Sequence, residues 1–342
     1  MKTVVCQEPY KFTMEETEKT PVKEGEVLVK IRRIGICGTD LHAYQGNQAF
    51  FEYPRVLGHE LSGEVTEFGT NADQSKLAIG DNVLIVPYLH CGKCVACRRG
   101  NTNCCANMQV IGVHQDGGMC EYISVPASHV LKVDNLSLDA MALVECLAIG
   151  AHAVRRADIQ EGDNALVIGA GPIGLATMQF AKAAGANVIA LDLNQERLDF
   201  CQADIGVAAT VNPTSEDAIE KIKELTNGEF ATAVIDATGH AGSMMGAVEY
   251  CSHSANLVYV GLSKDKLSYD HPNIHKRELT IMCSRNATLE DFQHVADCLN
   301  DGRAKSTCMI THTCKFEDMI EEFPAWTKPE TGVIKAMVEL ND

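Results

Sequence analysis

The sequence predicts an α/β protein of two domains, a β-rich one followed by a doubly wound parallel sheet. Three observations carry this. Up to about residue 150 the chain shows short alternating apolar runs, such as 27–31 (VLVKI) and 83–86, separated by Gly, Pro and charged residues. Beyond that point apolar runs alternate with longer Ala-rich stretches: 165–168, a helix over 172–184, 188–191, a helix from near Gln195, then 232–235 and 256–260. Strand–helix alternation of this kind builds a parallel sheet covered on both faces. Finally, 342 residues is enough for about two domains, each with its own core.

Composition narrows the partners. The formal net charge of −17 repels phosphate backbones and anionic lipid, which excludes nucleic-acid and membrane-surface binding as the main activity. A few local cations still allow a small anionic substrate. No stretch approaches the ~20 apolar residues of a membrane span, and the first residues, MKTVVCQEPYKF, lack the apolar core of a signal peptide. The expected location is the cytoplasm. In a reducing compartment, clustered members of the 15 cysteines are metal ligands, and scattered ones are small core hydrophobes.

Gly169-Ala-Gly171-Pro172-Ile173-Gly174 follows an apolar run and opens an Ala-rich helix, and Asp192 closes the next run. That context turns a weak glycine pattern into a dinucleotide site. Gly169 permits the tight turn, Gly171 lets backbone approach a pyrophosphate, and Gly174 lets helix and strand pack closely. The helix N-terminus offers free N–H groups to the phosphates. Asp192 would accept hydrogen bonds from ribose hydroxyls and repel a 2′-phosphate, favouring NAD over NADP; Arg197, on the following helix, would lie near the adenosine. By the same logic of strand ends, Thr238, Val260, Gly261, Leu262 and Arg285 are cofactor candidates.

Cys91-Gly-Lys-Cys94-Val-Ala-Cys97, with Cys104-Cys105 after a short loop, supplies four thiolates for a closed tetrahedral zinc shell. On spacing alone either Cys104 or Cys105 closes it, and an iron–sulfur cluster is the rival. A second constellation is dispersed over Cys37-Gly-Thr39-Asp-Leu-His42, Gly58-His59-Glu60, and Glu145 in an otherwise apolar run. A carboxylate there needs a partner or a cation. Together they supply sulfur, nitrogen and oxygen, with a position left open, as a catalytic zinc requires.

In this order the segments resemble the zinc-dependent medium-chain alcohol dehydrogenases over essentially the whole chain. The resemblance implies a GroES-like catalytic domain over residues 1–146 and 285–342, interrupted by a Rossmann NAD-binding domain over 147–284. It implies a catalytic zinc on Cys37, His59 and Glu145, with Glu60 either a fourth ligand or held behind a water. It implies a structural zinc on Cys91, Cys94, Cys97 and Cys105, leaving Cys104 spare. Cys146 stands where sugar-alcohol members usually carry Pro, and its plain reading is a small buried hydrophobe. Lys335 matches a basic cofactor-contacting position; the alternative is a solvated lysine.

Within the family, Tyr53-Pro-Arg-Val-Leu-Gly-His-Glu60 and Val110-Ile-Gly-Val-His-Gln-Asp-Gly-Gly118 look closest to bacterial polyol and sugar-acid dehydrogenases. The 47–51 stretch, with Phe50, is similar to the L-galactonate 5-dehydrogenases, whereas Cys37-Gly-Thr-Asp-Leu-His42 also resembles threonine dehydrogenases. The implied reaction oxidises a secondary alcohol to a ketone, with zinc as Lewis acid, hydride passing to NAD, and the proton leaving through Thr39 and a solvent-facing His42. Tyr44, Gln48, Arg55, His114, Gln115 and Asp116 are candidates to hydrogen-bond the substrate, and each is equally a surface or packing residue. Relatives are usually dimers or tetramers. A protein that kept the fold without catalysis would have lost Cys37, His59 or Glu145, and all three are present.

Overall fold

A computed structural model describes residues 1–48 and 51–340. The chain divides into two units. One comprises Met1–Glu145, Thr288–Asn300 and Ser306–Asp342; the other comprises Cys146–Ala287 and Asp301–Lys305. Among the described residues no helix is long and apolar enough to cross a membrane.

Seven strands form the main sheet of the first unit. Ile310–Lys315, Lys335–Glu339, Glu26–Ile36, Glu60–Phe68, Asn82–Ile85 and Val130–Lys132 lie side by side, and Tyr122–Pro126 pairs with the early part of Glu26–Ile36. Val27, Val29 and Ile31 alternate inward and pack with Val65, Val83, Ile85 and Val125. Register is what matters for the site. Ala336 faces Ile36, and Gly35 faces Glu60, across two antiparallel ladders. The end of the middle strand therefore meets the beginnings of both neighbours: Cys37 follows Ile36, His59 precedes Glu60, and Lys335 sits beside Ala336. A slip of one residue would turn these side chains to the opposite face.

Glu145 arrives on the helix Leu138–Arg156. Its first turn is tied to the sheet, because Ser62 Oγ donates to the Leu138 carbonyl at 2.7 Å and Arg33 Nε to Asp139 Oδ1 at 2.6 Å.

In the second unit six strands pair in parallel in the order Ala209–Val211, Asn187–Leu191, Asn164–Ile168, Ala231–Asp236, Cys251–Tyr259, Thr280–Cys283. Chain order reverses between Asn164–Ile168 and Ala231–Asp236, the switch point where doubly wound sheets bind ligands. These strands read as continuous apolar runs because both faces are covered, with Leu166, Ile168, Ile189, Val234 and Leu257 in one core. Helix Pro172–Ala183 starts with proline in its first turn, where the missing N–H costs nothing, and Gly171 is its N-cap. The mixed α/β architecture, a GroES-like sheet unit plus a parallel-sheet Rossmann unit, is the one expected.

Candidate active site and metal lobe

Cys37, His59 and Glu60 each offer a ligand atom within 4.8 Å of the others. Cys37 is the N-cap of the short helix Gly38–Tyr44. Asp40, in that helix's first turn, braces both ligand segments: its carboxylate accepts from the Cys37 N–H at 2.9 Å and the Gly58 N–H at 3.2 Å, and lies 3.7 Å from His59 Nδ1. Asp40 was invisible as a functional residue in the sequence, although an acid three residues after an N-cap is the signal that finds it.

Glu60 is fully buried, and the buried Lys335 ammonium donates to both its oxygens, at 2.6 and 2.8 Å, and to the Ile36 carbonyl at 3.2 Å. A Cβ at Gly35 would stand 2.3 Å from Glu60 Oε2, so the glycine makes room for this carboxylate. Glu145 lies outside the 4.8 Å group; it is buried, and the Tyr88 hydroxyl donates to its Oε1. Tyr88 packs edge-on against Phe292 and was not singled out from sequence, since its partner is 57 positions away.

The electrostatics of this cluster fit a cation. Burial pushes the carboxyls of Asp40 and Glu145 above their ordinary range. Burial opposes protonation of His59, yet the Asp40 and Cys37 side chains outweigh it and hold the imidazole well above its usual value. Burial and the Glu145 carboxylate push the Tyr88 phenol up, which keeps it a donor. Three carboxyls and a thiol thus surround one imidazole and one ammonium, and His59 Nδ1 has no hydrogen-bond partner among the described residues. A divalent ion taking sulfur, nitrogen and oxygen ligands relieves that excess of negative charge, and zinc suits the donor set.

In the lobe, the sulfurs of Cys91, Cys94, Cys97 and Cys105 lie within 4.8 Å of one another. Cys94 Sγ is 3.4 Å from Cys97 Sγ and 4.0 Å from Cys105 Sγ. Four Zn–S bonds of ~2.3 Å set tetrahedral sulfurs roughly 3.8 Å apart, so the spacing fits one zinc ion. The N–H groups of Lys93 and Cys94 lower the Cys91 thiol to about 6. Burial and the neighbouring Cys94 and Cys105 push Cys97 up to about 12, a crowding of thiols that a cation relieves. The group contains Cys105; Cys104 is exposed and lies outside it.

At the dinucleotide end, Gly169 adopts φ +98°, and a Cβ at Gly174 would stand 1.7 Å from the Gly169 carbonyl oxygen. At Gly171 the space is open, with only Arg197 Nη1 at 3.8 Å. Asp192 Oδ2 accepts from the Ala170 N–H at 2.6 Å and Oδ1 from the Asn194 N–H at 2.8 Å, which pins the second strand's end to the glycine turn. Thr238 donates through N–H and hydroxyl to Asp236 Oδ1 at 2.9 and 2.7 Å. Val260, Gly261 and the exposed Leu262 follow Cys251–Tyr259 at the same end of the sheet, and Arg285 is exposed just past Thr280–Cys283.

The weaker candidates divide. Thr39 is half-buried and His42 exposed, three residues apart on one helix. Lys335 is no solvated lysine. Tyr44 belongs to the core, stacked on Phe12 with its hydroxyl donating to the Tyr10 carbonyl at 3.3 Å. Cys146 is buried, as a small hydrophobe would be. His114 Nδ1 accepts from the Val110 N–H at 3.0 Å, and Gln48 is half-buried. Arg55, Gln115 and Asp116 line a cavity to which Cys37, His59 and Glu60 do not contribute. Phe50 lies outside the described residues.

The alcohol dehydrogenase GroES-like domain model matches residues 23–135, and the zinc-binding dehydrogenase model matches residues 172–301. The chain is 42% identical over 338 residues to the L-galactonate-5-dehydrogenase of Escherichia coli K12, covering 99% of this chain and 98% of that protein. It is 32% identical to the L-threonine 3-dehydrogenase of Bacillus velezensis, covering 98% of each. It superposes on the crystal structure of a short chain alcohol dehydrogenase (rspB) from E. coli CFT073 complexed with NADH, with TM-score 0.93, 31% identity and 99% of each chain covered. On its fold, its two clusters of metal-ligating side chains and these matches, the chain belongs to the zinc-dependent medium-chain alcohol dehydrogenase family.

Proposed function

We propose that this protein oxidises a secondary alcohol of a sugar acid or polyol, L-galactonate first among them, to a ketone, using zinc and NAD. The convergence of Cys37, His59 and Glu60 at adjoining strand ends carries the chemistry. The 42% identity to an L-galactonate-5-dehydrogenase supports the substrate class. Cys37, His59 and Glu145 would hold the catalytic zinc, with Glu60, which lies within ligand reach of Cys37 and His59 and is restrained by Lys335, as a fourth ligand. Cys91, Cys94, Cys97 and Cys105 would hold a structural zinc.

Bound zinc would supply Lewis-acid polarisation of the substrate hydroxyl, and NAD the hydride acceptor. Tyr88 holds the Glu145 carboxylate by its hydroxyl, and Asp40 orients the Cys37 and Gly58–His59 backbones. Thr39 Oγ1 accepts the substrate's proton while giving up its own hydroxyl proton, which leaves to solvent by way of the exposed His42 imidazole. The Pro172–Ala183 helix N-terminus and the open space at Gly171 receive the cofactor's pyrophosphate, with Ile173 in the same turn, while Asp192 selects NAD by its ribose hydroxyls. Arg197 flanks Gly171 on the adenosine side. Thr238, Val260, Gly261, Leu262 and Arg285 line the strand ends towards the rest of the cofactor.

The test is NADH formation from NAD⁺ across aldonates including L-galactonate, polyols and L-threonine. L-Threonine is the second reading, favoured by the 32% match and Cys37-Gly-Thr-Asp-Leu-His42. Turnover of threonine alone would replace the sugar-acid reading. A protein that binds zinc and dinucleotide but turns over no member of the panel would contradict both. Assembly as a dimer or tetramer follows from the resemblance, and light scattering on the purified protein tests it.

A further inference from the structure

The β-rich unit holds a second concavity that the dehydrogenase reading leaves unused. It is a cavity of about 620 Å³, to which Thr17, Lys23, Arg55, Gln115, Asp116 and Ser124 contribute, and to which none of Cys37, His59, Glu60 and Glu145 does. Its volume falls within the range of small-molecule sites.

Arg55 is the anomaly in its wall. The side chain is only 18% exposed, and its buried Nε has no hydrogen-bond partner among the described residues. The acid facing it, Asp116, is 68% exposed and stands 3.6 Å from Nη1, beyond hydrogen-bonding distance. That same oxygen, Oδ1, is already engaged by the Val56 N–H at 3.0 Å. A guanidinium presents five N–H donors in a planar fork, accepts nothing and keeps its charge. Nε is sealed from solvent and Nη1 faces only a well-hydrated acid, so the guanidinium's terminal N–H groups are left to answer an oxyanion in the cavity. Lys23, exposed on the wall, adds a second cation, while the other acid lining the cavity, Glu18, is exposed and well hydrated.

We propose that this cavity is a second binding site, separate from the zinc and dinucleotide sites, for a small hydroxylated oxyanion. Its carboxylate or phosphate group engages the Arg55 guanidinium, Lys23 supplies the second charge, and the Gln115 side chain meets a hydroxyl, the Thr17 and Ser124 hydroxyls being engaged with Met1 and Thr3 and with Glu26. The proposal does not depend on which alcohol the enzyme oxidises.

The experiment is calorimetric titration of the zinc-loaded enzyme with inorganic phosphate and, separately, with malonate, under saturating NADH so that the pyrophosphate site is closed. Saturable binding is expected for at least one probe, weakened about tenfold by Arg55→Gln, the loss of one charge-assisted bidentate contact, and less by Lys23→Gln. Asp116→Asn should tighten binding, because it removes the competing carboxylate while its amide oxygen still accepts from Val56. Absence of saturable binding in the millimolar range overturns the proposal. So does binding indifferent to Arg55→Gln and Lys23→Gln, or weakened by Asp116→Asn. Should Arg55→Gln fail to fold, the opposite signs expected for the two exposed positions still decide the matter.

Discussion

Gly171 and Gly174 stand three residues apart in one turn, and the structure separates their tasks. At Gly174 a methyl group would collide with the Gly169 carbonyl at 1.7 Å, so Gly174→Ala must displace backbone and lower thermal stability. At Gly171 nothing closer than Arg197 Nη1 at 3.8 Å opposes a methyl group, and the backbone is extended, at φ −76°. Gly171→Ala should therefore leave the melting temperature nearly unchanged while raising KM for NAD⁺ about tenfold or more, because the methyl group occupies the pyrophosphate's approach. Melting curves and NAD⁺ kinetics on the two variants check this; equal destabilisation by both would refute it. These glycines were legible in the sequence because their spacing is a covalent fact. The Glu60–Lys335 pair was not, since 275 residues separate its members and only strand register brings them together. Sequence left Tyr44 open between a substrate contact and a packing residue for a related reason: beside a ligand segment in sequence, it turns into the core against Phe12 and Phe323.

Among elements, the strands and helices of the second unit were readable because apolar runs and Ala-rich stretches alternate without interruption. The first unit's short strands gave their existence but not their partners, and the ligand cluster depends on partners. One tie there can be tested alone. The Lys132 ammonium, on Val130–Lys132, donates to Asp81 Oδ1 at 2.8 Å, and the Ala78 N–H donates to Oδ2 at 2.7 Å. These hydrogen bonds lower the Asp81 pKa, the one from Lys132 most. A carboxyl lowered on folding stabilises the protein fully above its unfolded pKa of ~3.9 and loses that contribution as pH falls through the folded value. Asp81→Asn should thus melt below the parent at neutral pH, with the gap closing as pH drops below ~3.9. Protonation of the metal ligands affects both proteins alike, so melting temperatures compared pairwise across pH isolate the effect. A gap that widens in acid would contradict it.

Across the molecule, the two ligand clusters make two zinc sites with different consequences. Cys94→Ser opens the lobe's four-thiol shell and should cost one of two zinc ions and several degrees of melting temperature, because structural zinc binding is folding free energy. Cys37→Ser should cost the other ion and abolish turnover with a smaller thermal effect. Zinc analysis paired with calorimetry distinguishes these outcomes from a chain with one shared site. The sequence already held both ligand sets as spacings and short motifs. Spacing alone left Cys104 and Cys105 open and the resemblance chose Cys105, the residue that the fold places with the other three thiols; that Glu60 lies closer than Glu145 to Cys37 and His59 required the fold.

The most direct measurement is the initial rate of NADH formation from NAD⁺ and L-galactonate, with NADP⁺ as the alternative acceptor and zinc quantified on the same sample. Turnover with NAD⁺, a strong preference over NADP⁺ imposed by Asp192, and about two zinc ions per chain are expected. Turnover that persists with one zinc or none in a metal-replete preparation would contradict this expectation, and with it the task assigned to Cys37, His59 and Glu145.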